Sequence, residues 1–228
     1  MQKRHIEHAA FNLFWEGNPE NWRETCPSLE RIKVADKEII YLQGDQRTDV
    51  FGIAKGVVKL SCVSLQGDEL TIVLLKDGEI FGCLQPDCVI YQMEETAQAV
   101  GEVLVYRITL DEFKALLFHY PALAWRVIEA LCDRKQRAER KLQSILTQTV
   151  ETRVVNTLRE LANMFGIRCV HGYALEIRLT QQDIADLVGA SRPVVSTVLN
   201  GLRNRGLLDY TRELICVNDA TLTDYYAT

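Results

Sequence analysis

Apolar and polar positions change rhythm near residue 110. From Ile32 to Tyr106 the apolar residues come in short runs, such as Glu38-Ile39-Ile40-Tyr41-Leu42, Val57-Val58-Lys59-Leu60 and Leu70-Thr71-Ile72-Val73-Leu74-Leu75. Gly44, Gly56, Gly67 and Gly78 punctuate them at intervals of 12, 11 and 11 residues, often beside an acid (Gly44-Asp45, Gly67-Asp68, Asp77-Gly78). Short β-type runs with turn signals at that interval predict an antiparallel roll. The glycines are expected at the positive-φ turn positions that other residues avoid.

Beyond Leu110 the period is helical. Asp111 to Tyr120 predicts a short helix, and Pro121 both stops it and suits the first turn of the next. A long helix from about Ala122 to Gln148 contains neither Gly nor Pro. Its apolar seam is Ala124, Ile128, Leu131, Lys135, Ala138, Leu142, Ile145 and Thr149, with alternating spacings of 4 and 3. That heptad pattern predicts a two-stranded parallel coiled coil, hence a homodimer. A helix packed on its own domain would need a wider apolar stripe, whereas Arg134, Arg137, Glu139, Arg140 and Lys141 flank this seam with charge. Lys135 weakens the seam locally. Another amphipathic helix follows from Glu151 to Phe165, with Gly166 as its C-cap.

The next segment carries the most information. Thr180-Gln181-Gln182-Asp183 has the form of a capping box. Counted from Gln181, Ile184, Ala185, Val188, Gly189, Val195 and Val198 stand at positions 4, 5, 8, 9, 15 and 18. A small residue at 5, a glycine at the turn and an apolar wedge from the rest fit a helix-turn-helix. Ser191 is the expected cap of the second helix, and Pro193 is tolerated in its first turn. That helix would present Ser191, Arg192, Pro193, Ser196, Thr197 and Asn200 to a major groove, with Thr180 and Gln181 on the preceding helix. Arg192 is the candidate for reading guanine, because its planar fork matches O6 and N7. Leu207–Tyr210 and Leu214–Val217 alternate as a hairpin, a wing that would place Arg212 on a phosphate. Double-stranded DNA is therefore the expected partner.

Charge sharpens that assignment. Residues 1–120 carry 12 basic and 19 acidic side chains, and residues 121–228 carry 14 and 12. Gly189 to Gly206 holds Arg192, Arg203 and Arg205 with no acid, so nucleic-acid contact belongs to the C-terminal part. No stretch resembles a signal peptide or a membrane span, which makes the expected location cytoplasmic with no membrane partner. The seven cysteines (Cys26, Cys62, Cys83, Cys88, Cys132, Cys169, Cys216) are scattered and odd in number, and read as reduced, mostly buried thiols. All four histidines lie outside Ile32–Tyr106, so a metal enzyme built in the roll is excluded and no metal site is expected. Only Cys26 precedes the roll, against an iron–sulfur cluster, although Cys83-x4-Cys88 leaves a redox or metal role open. No Ser/His/Asp elbow or Walker loop is present, and no enzyme activity is expected.

A glycine-punctuated roll, a long dimer helix and a C-terminal winged helix-turn-helix, in that order, resemble the superfamily of the cyclic-AMP receptor protein and the fumarate-nitrate reductase regulator (CRP/FNR). The resemblance spans residues 32–220. It rests on Gly44-Asp45, Lys55–Leu60, Asp77–Gly82 and Leu179–Leu208; Ile80–Leu84 and Pro121–Arg153 look most like the cyanobacterial global nitrogen regulator branch. The implied fold class is α+β: a cyclic-nucleotide-binding-like jelly roll over 1–120, a dimerisation helix over 121–149 and a winged helix-turn-helix over 150–228. The implied function is a homodimeric transcription regulator, an activator that contacts RNA polymerase, acting on a palindromic operator in response to a nutrient or metabolic signal. The alternative is a ligand-independent regulator whose roll serves only dimerisation and polymerase contact.

Departures from the family pattern redirect the ligand. Cyclic-AMP receptors use a Gly-Glu-Leu turn and a later Arg-Ser pair; here Gly82-Cys83-Leu84 and Met93-Glu94-Glu95-Thr96 stand there. Acids replace the cation a cyclic phosphate needs, so cyclic AMP is not expected, nor haem or an iron–sulfur cluster. The nitrogen regulator's 2-oxoglutarate site is matched by Phe81, Gly82, Leu84, Arg134 and Glu139 but lacks its roll arginine, with Lys135 or Arg137 as substitutes. An anionic metabolite between Phe81–Leu84 (including Cys83) and Arg134, Lys135 and Glu139 is the resulting expectation. In the recognition helix the family's Arg-Glu-x-x-x-Arg becomes Arg192-Pro193-Val194-Val195-Ser196-Thr197, so the operator should differ from the standard one.

Overall fold

The computed structural model describes residues 26–84, 92–210 and 214–219. Contacts divide the chain into two units. One comprises the described residues up to Cys62 together with Val73–Arg137; the other comprises Val63–Ile72 and the described residues from Ala138 onward.

Residues 30–109 supply antiparallel strands β1 (Glu30–Val34), β2 (Ile39–Tyr41), β3 (Asp49–Val63), β4 (Glu69–Leu75), β5 (Ile80–Gly82) and β6 (Thr96–Thr109). Their order is β1-β6-β3-β4, with β2 added to β6 and β5 to β3. The regular glycines behave as expected: Gly44, Gly56, Gly67 and Gly78 all have positive φ. The long strands β3 and β6 pair from Asp49↔Thr109 to Ser61↔Thr96, with register shifts between Ile53 and Val57. Tyr41, Phe51 and Phe81 form the aromatic centre of the core, with ring centroids 5.1–6.0 Å apart.

Helix α1 (Leu110–His119) is capped by Thr109, and Pro121 opens α2 (Pro121–Thr147). Leu123 and Val127 of α2 are buried in the core of the first unit. The long helix therefore does pack on its own domain, through a second stripe one residue ahead of the heptad seam. The seam ends earlier than its sequence suggests, because Thr149 lies beyond α2 and caps α3 (Val150–Phe165) instead.

The C-terminal unit buries Val154, Val155, Leu158, Leu161 and Ala162 of α3. Beside α3 lies a sheet in the order β7-β8-β10-β9, from β7 (Gly166–Cys169), β8 (Gly172–Leu175), β9 (Leu208–Tyr210) and β10 (Ile215–Asn218). The β7–β8 hairpin has no counterpart in the sequence pattern. Gly166 does cap α3, but its backbone is extended and starts β7. A side chain there would come within 2.2 Å of the Ala162 carbonyl oxygen, so close approach is what requires the glycine. Helices α4 (Gln181–Val188) and α5 (Arg192–Asn204) complete the unit. No helix among the described residues is long and apolar enough to cross a membrane.

Candidate DNA interface and effector site

Thr180 and Asp183 form the expected capping box: the Asp183 amide donates to the Thr180 hydroxyl at 3.1 Å, and the Thr180 amide donates to Asp183 Oδ2 at 2.7 Å. The Thr180 hydroxyl itself donates to Asp183 Oδ2 at 2.7 Å, so it serves the helix end. Gly189 closes α4 in the left-handed region at φ 69. The wedge between α4 and α5 is Ile184, Ala185, Val188, Val195, Leu199 and Leu202, all buried. Val198, expected in the wedge, is only half-buried. The inward stripe of α5 runs 195, 199, 202, and places Leu199 where Val198 was expected.

Ser191 has the extended backbone of an N-cap, but its hydroxyl makes no capping bond. Ser191, Arg192, Pro193, Thr197 and Asn200 are exposed as expected, whereas Ser196 is half-buried. The Thr197 hydroxyl donates to the Pro193 carbonyl at 3.0 Å, one turn back. Gln181 Nε2 donates to the Tyr210 hydroxyl at 3.1 Å, which donates to Asn200 Oδ1 at 2.8 Å. Both helices are thereby tied to β9 through Tyr210, a residue that sequence reasoning missed because a lone Tyr in an apolar strand carries no motif. The Asn200 carbonyl oxygen is thereby engaged, and its amide group remains a donor of two N–H bonds.

The arginines of this segment separate sharply. Arg203 lies 3.5 Å from Asp209 and over the Tyr210 ring, and Arg205 lies 2.5 Å from Glu151. Arg192 alone of the three has no carboxylate partner among the described residues. It lines a cavity of about 640 Å³ together with Thr180, Gln181 and Tyr210. The wing strands pair as expected, from Val217↔Leu208 to Ile215↔Tyr210, but Arg212 lies outside the described residues.

The second candidate site lies within the first unit. Strand β5 pairs with β3 (Val50↔Gly82, Phe51↔Phe81), which buries Phe81 against Phe51. Gly82 has φ 96, and a Cβ there would stand 2.6 Å from the Asp49 carbonyl oxygen. The same oxygen accepts from the Cys83 amide at 2.9 Å; Cys83 is buried and Leu84 half-buried. From α2, Arg134 donates to the Ile80 carbonyl and Arg137 to Glu79. The Nε atoms of Arg134 and Arg137 are both buried without a hydrogen-bond partner among the described residues. Burial lowers the Arg134 pKa, opposed chiefly by the negative charge of Glu79. Burial also raises that of Glu95, although the Tyr41 hydroxyl donates to it at 2.8 Å.

Arg134 reaches the Ile80 carbonyl, next in sequence to Phe81–Leu84, whereas Lys135 and Glu139 are exposed on α2 in the single chain. One residue is about 100° of helix, and the inward positions are 134 and 137. Arg137 and Lys141, which looked like solvent-facing flanks, are likewise directed inward. Lys141 donates to the Thr71 carbonyl, and burial lowers its pKa to about 8. Along the seam Ile128, Leu131 and Leu142 are 47%, 38% and 60% exposed in the single chain, Lys135 and Ala138 are exposed and Ile145 is half-buried. Among the described residues no group of three or more His, Cys, Asp or Glu is placed to hold a metal ion.

Comparison with known proteins fixes the family. The family model of the cyclic nucleotide-binding domain matches residues 31–120, and that of the Crp-like helix-turn-helix domain matches residues 152–223. The chain belongs to the CRP/FNR superfamily. The global nitrogen regulator of Nostoc sp. is 26% identical over 216 residues, covering 92% of each chain. A CRP-like cAMP-activated global transcriptional regulator of Mycobacterium tuberculosis is 25% identical, over 93% of this chain and 94% of that one. The solved structure of the c-di-GMP responsive global regulator CLP of Xanthomonas campestris superposes with a TM-score of 0.75 at 20% identity, over 88% of this chain and 98% of that one, which shows the fold. As a CRP/FNR protein the chain is a DNA-binding transcription regulator. In its roll Met93 is a core residue, and the Glu95 carboxyl accepts from the Tyr41 hydroxyl.

Proposed function

We propose that the chain acts as a homodimer on a palindromic operator, activates transcription through contact with RNA polymerase, and answers to an anionic metabolite bound between Phe81–Leu84 and Arg134. The observation that carries the effector is the buried Arg134 guanidinium, whose Nε has no partner among the described residues. Leaving a buried cationic N–H unpaired costs free energy that an anionic ligand would recover. Arg137 already pairs with Glu79 and Arg134 with the Ile80 carbonyl, so each guanidinium keeps only part of its donor set for a ligand. That favours a ligand presenting a single carboxylate to Arg134 over one clamped at both ends; 2-oxoglutarate fits only if its second carboxylate is met from elsewhere. The names of the relatives from Mycobacterium tuberculosis and Xanthomonas campestris also carry a small-molecule signal, which supports a signal-responsive reading over a ligand-independent one.

Thermal unfolding with a panel of carboxylate metabolites, 2-oxoglutarate included, tests the effector. A true effector at 100 times its Kd should stabilise the wild type by about 2.7 kcal/mol, a rise of several degrees in Tm. Arg134→Ala and Arg134→Lys should both lose that rise, because a lysine cannot supply the planar fork. Equal rises in wild type and both variants would remove Arg134 from the site.

A further inference from the structure

Two thiols of the C-terminal unit meet across its sheet. Cys169 ends β7 and Cys216 lies in β10, with β8 running between them. The register sets Cys169 opposite Gly172 and Cys216 opposite Ala174. Positions two apart on a strand share a face. Beneath the two cysteines the middle strand therefore carries only a hydrogen and a methyl group, and the flanking side chains can lean over it toward each other. Their sulfurs stand 3.3 Å apart, roughly 1.3 Å beyond an S–S bond of about 2.05 Å. Gly172 also lets β10 lie close, since a Cβ there would meet the Val217 carbonyl oxygen at 2.1 Å. Both cysteines are half-buried, within reach of a small oxidant.

We propose that Cys169 and Cys216 are a redox modification site of the DNA-binding unit, closing to a reversible disulfide under hydroperoxide. The Cys169 thiolate attacks one peroxide oxygen; the O–O bond breaks, Cys169 becomes a sulfenic acid and the other oxygen leaves as water or alcohol. The Cys216 thiol then attacks the Cys169 sulfur; the S–S bond forms, and the sulfenic hydroxyl leaves as water with the Cys216 proton. Two thiols and one hydroperoxide thus give one disulfide, one water and one further water or alcohol. The order of attack follows the surroundings of the two groups. The hydrogen bond from Cys216, with further ones from the His171 and Gly172 backbone, lowers the Cys169 pKa, whereas burial pushes Cys216 up to about 11. Cys169 is the nucleophile and Cys216 resolves it. In a reducing compartment the pair stays open until an oxidant arrives. Closure draws β7 toward β10, the strand that pairs with Asp209 and Tyr210.

The test uses the full-length protein. It is treated with hydrogen peroxide, alkylated, digested without reductant and analysed by mass spectrometry. The expected result is a cross-linked pair of peptides holding Cys169 and Cys216, returned to two alkylated peptides by dithiothreitol. Cys169→Ser and Cys216→Ser, both close in size to the native residue, should each abolish the pair, and Cys216→Ser should leave a dimedone-reactive sulfenic acid on Cys169. If Cys169 and Cys216 stay alkylatable while the exposed Cys132 is oxidised, or if Cys169 proceeds to sulfinic acid with no cross-link in the wild type, the proposal is overturned.

Discussion

Replacing Arg192 by Ala should remove the operator preference while the dimer and the fold persist. Arg192 is exposed in the first turn of α5, and no carboxylate among the described residues depends on it. Its loss therefore leaves no buried charge behind. A bidentate guanine contact discriminates by about 1–3 kcal/mol, and a symmetric dimer makes it twice. The combined loss is about 2–6 kcal/mol, or roughly 30-fold to 10⁴-fold in specific affinity. Arg203 and Arg205 serve as contrasts, because each already has an acidic partner in the fold. Fluorescence anisotropy with specific and scrambled duplexes at one salt concentration separates the two kinds of binding. An unchanged ratio of specific to non-specific affinity in the variant would take Arg192 out of base readout.

Leu142→Asp should give monomers. Leu142 is 60% exposed in the single chain, so an aspartate there is well solvated and leaves the fold of the subunit alone. In a coiled coil the same position faces its symmetry mate, and two carboxylates would be desolvated against each other at a cost of several kcal/mol per ion. Sedimentation velocity should show the monomer at micromolar concentration, with an unchanged circular dichroism spectrum. Operator affinity should fall further than one subunit's contacts explain, because a palindrome engages both subunits. An intact dimer in this variant would place the interface away from Ile128, Leu131 and Leu142.

The helix-turn-helix was legible because its constraints are local. The capping box, the small residue at Ala185 and the positive-φ glycine at 189 each rest on neighbours a few residues away, and each took the expected form. The roll was legible for the same reason, through turn glycines that fix where strands end. What the pattern missed depends on distant partners. Helix α2 carries two stripes one residue apart, and a cationic inward stripe (Arg134, Arg137, Lys141) does not look like a packing face until Glu79 and the carbonyls of Ile80 and Thr71 arrive from the sheet. Lys135 and Glu139, expected at the effector site as a substitute cation and as a family match, belong to the neighbouring stripe and are exposed in the single chain. Tyr210 and the Cys169–Cys216 contact arise from sheet order β7-β8-β10-β9, which no local pattern announces.

Selection of bound sequences from a random duplex pool tests dimeric, sequence-specific DNA binding and needs no knowledge of the signal. The expected result is enrichment of a palindrome whose half-sites are centred one helical turn apart, about 10–10.5 base pairs, or a multiple of it. Each half-site should carry a guanine whose preference disappears with Arg192→Ala. Enrichment of an asymmetric sequence, or no enrichment with and without carboxylate metabolites, would contradict a dimeric, sequence-specific regulator.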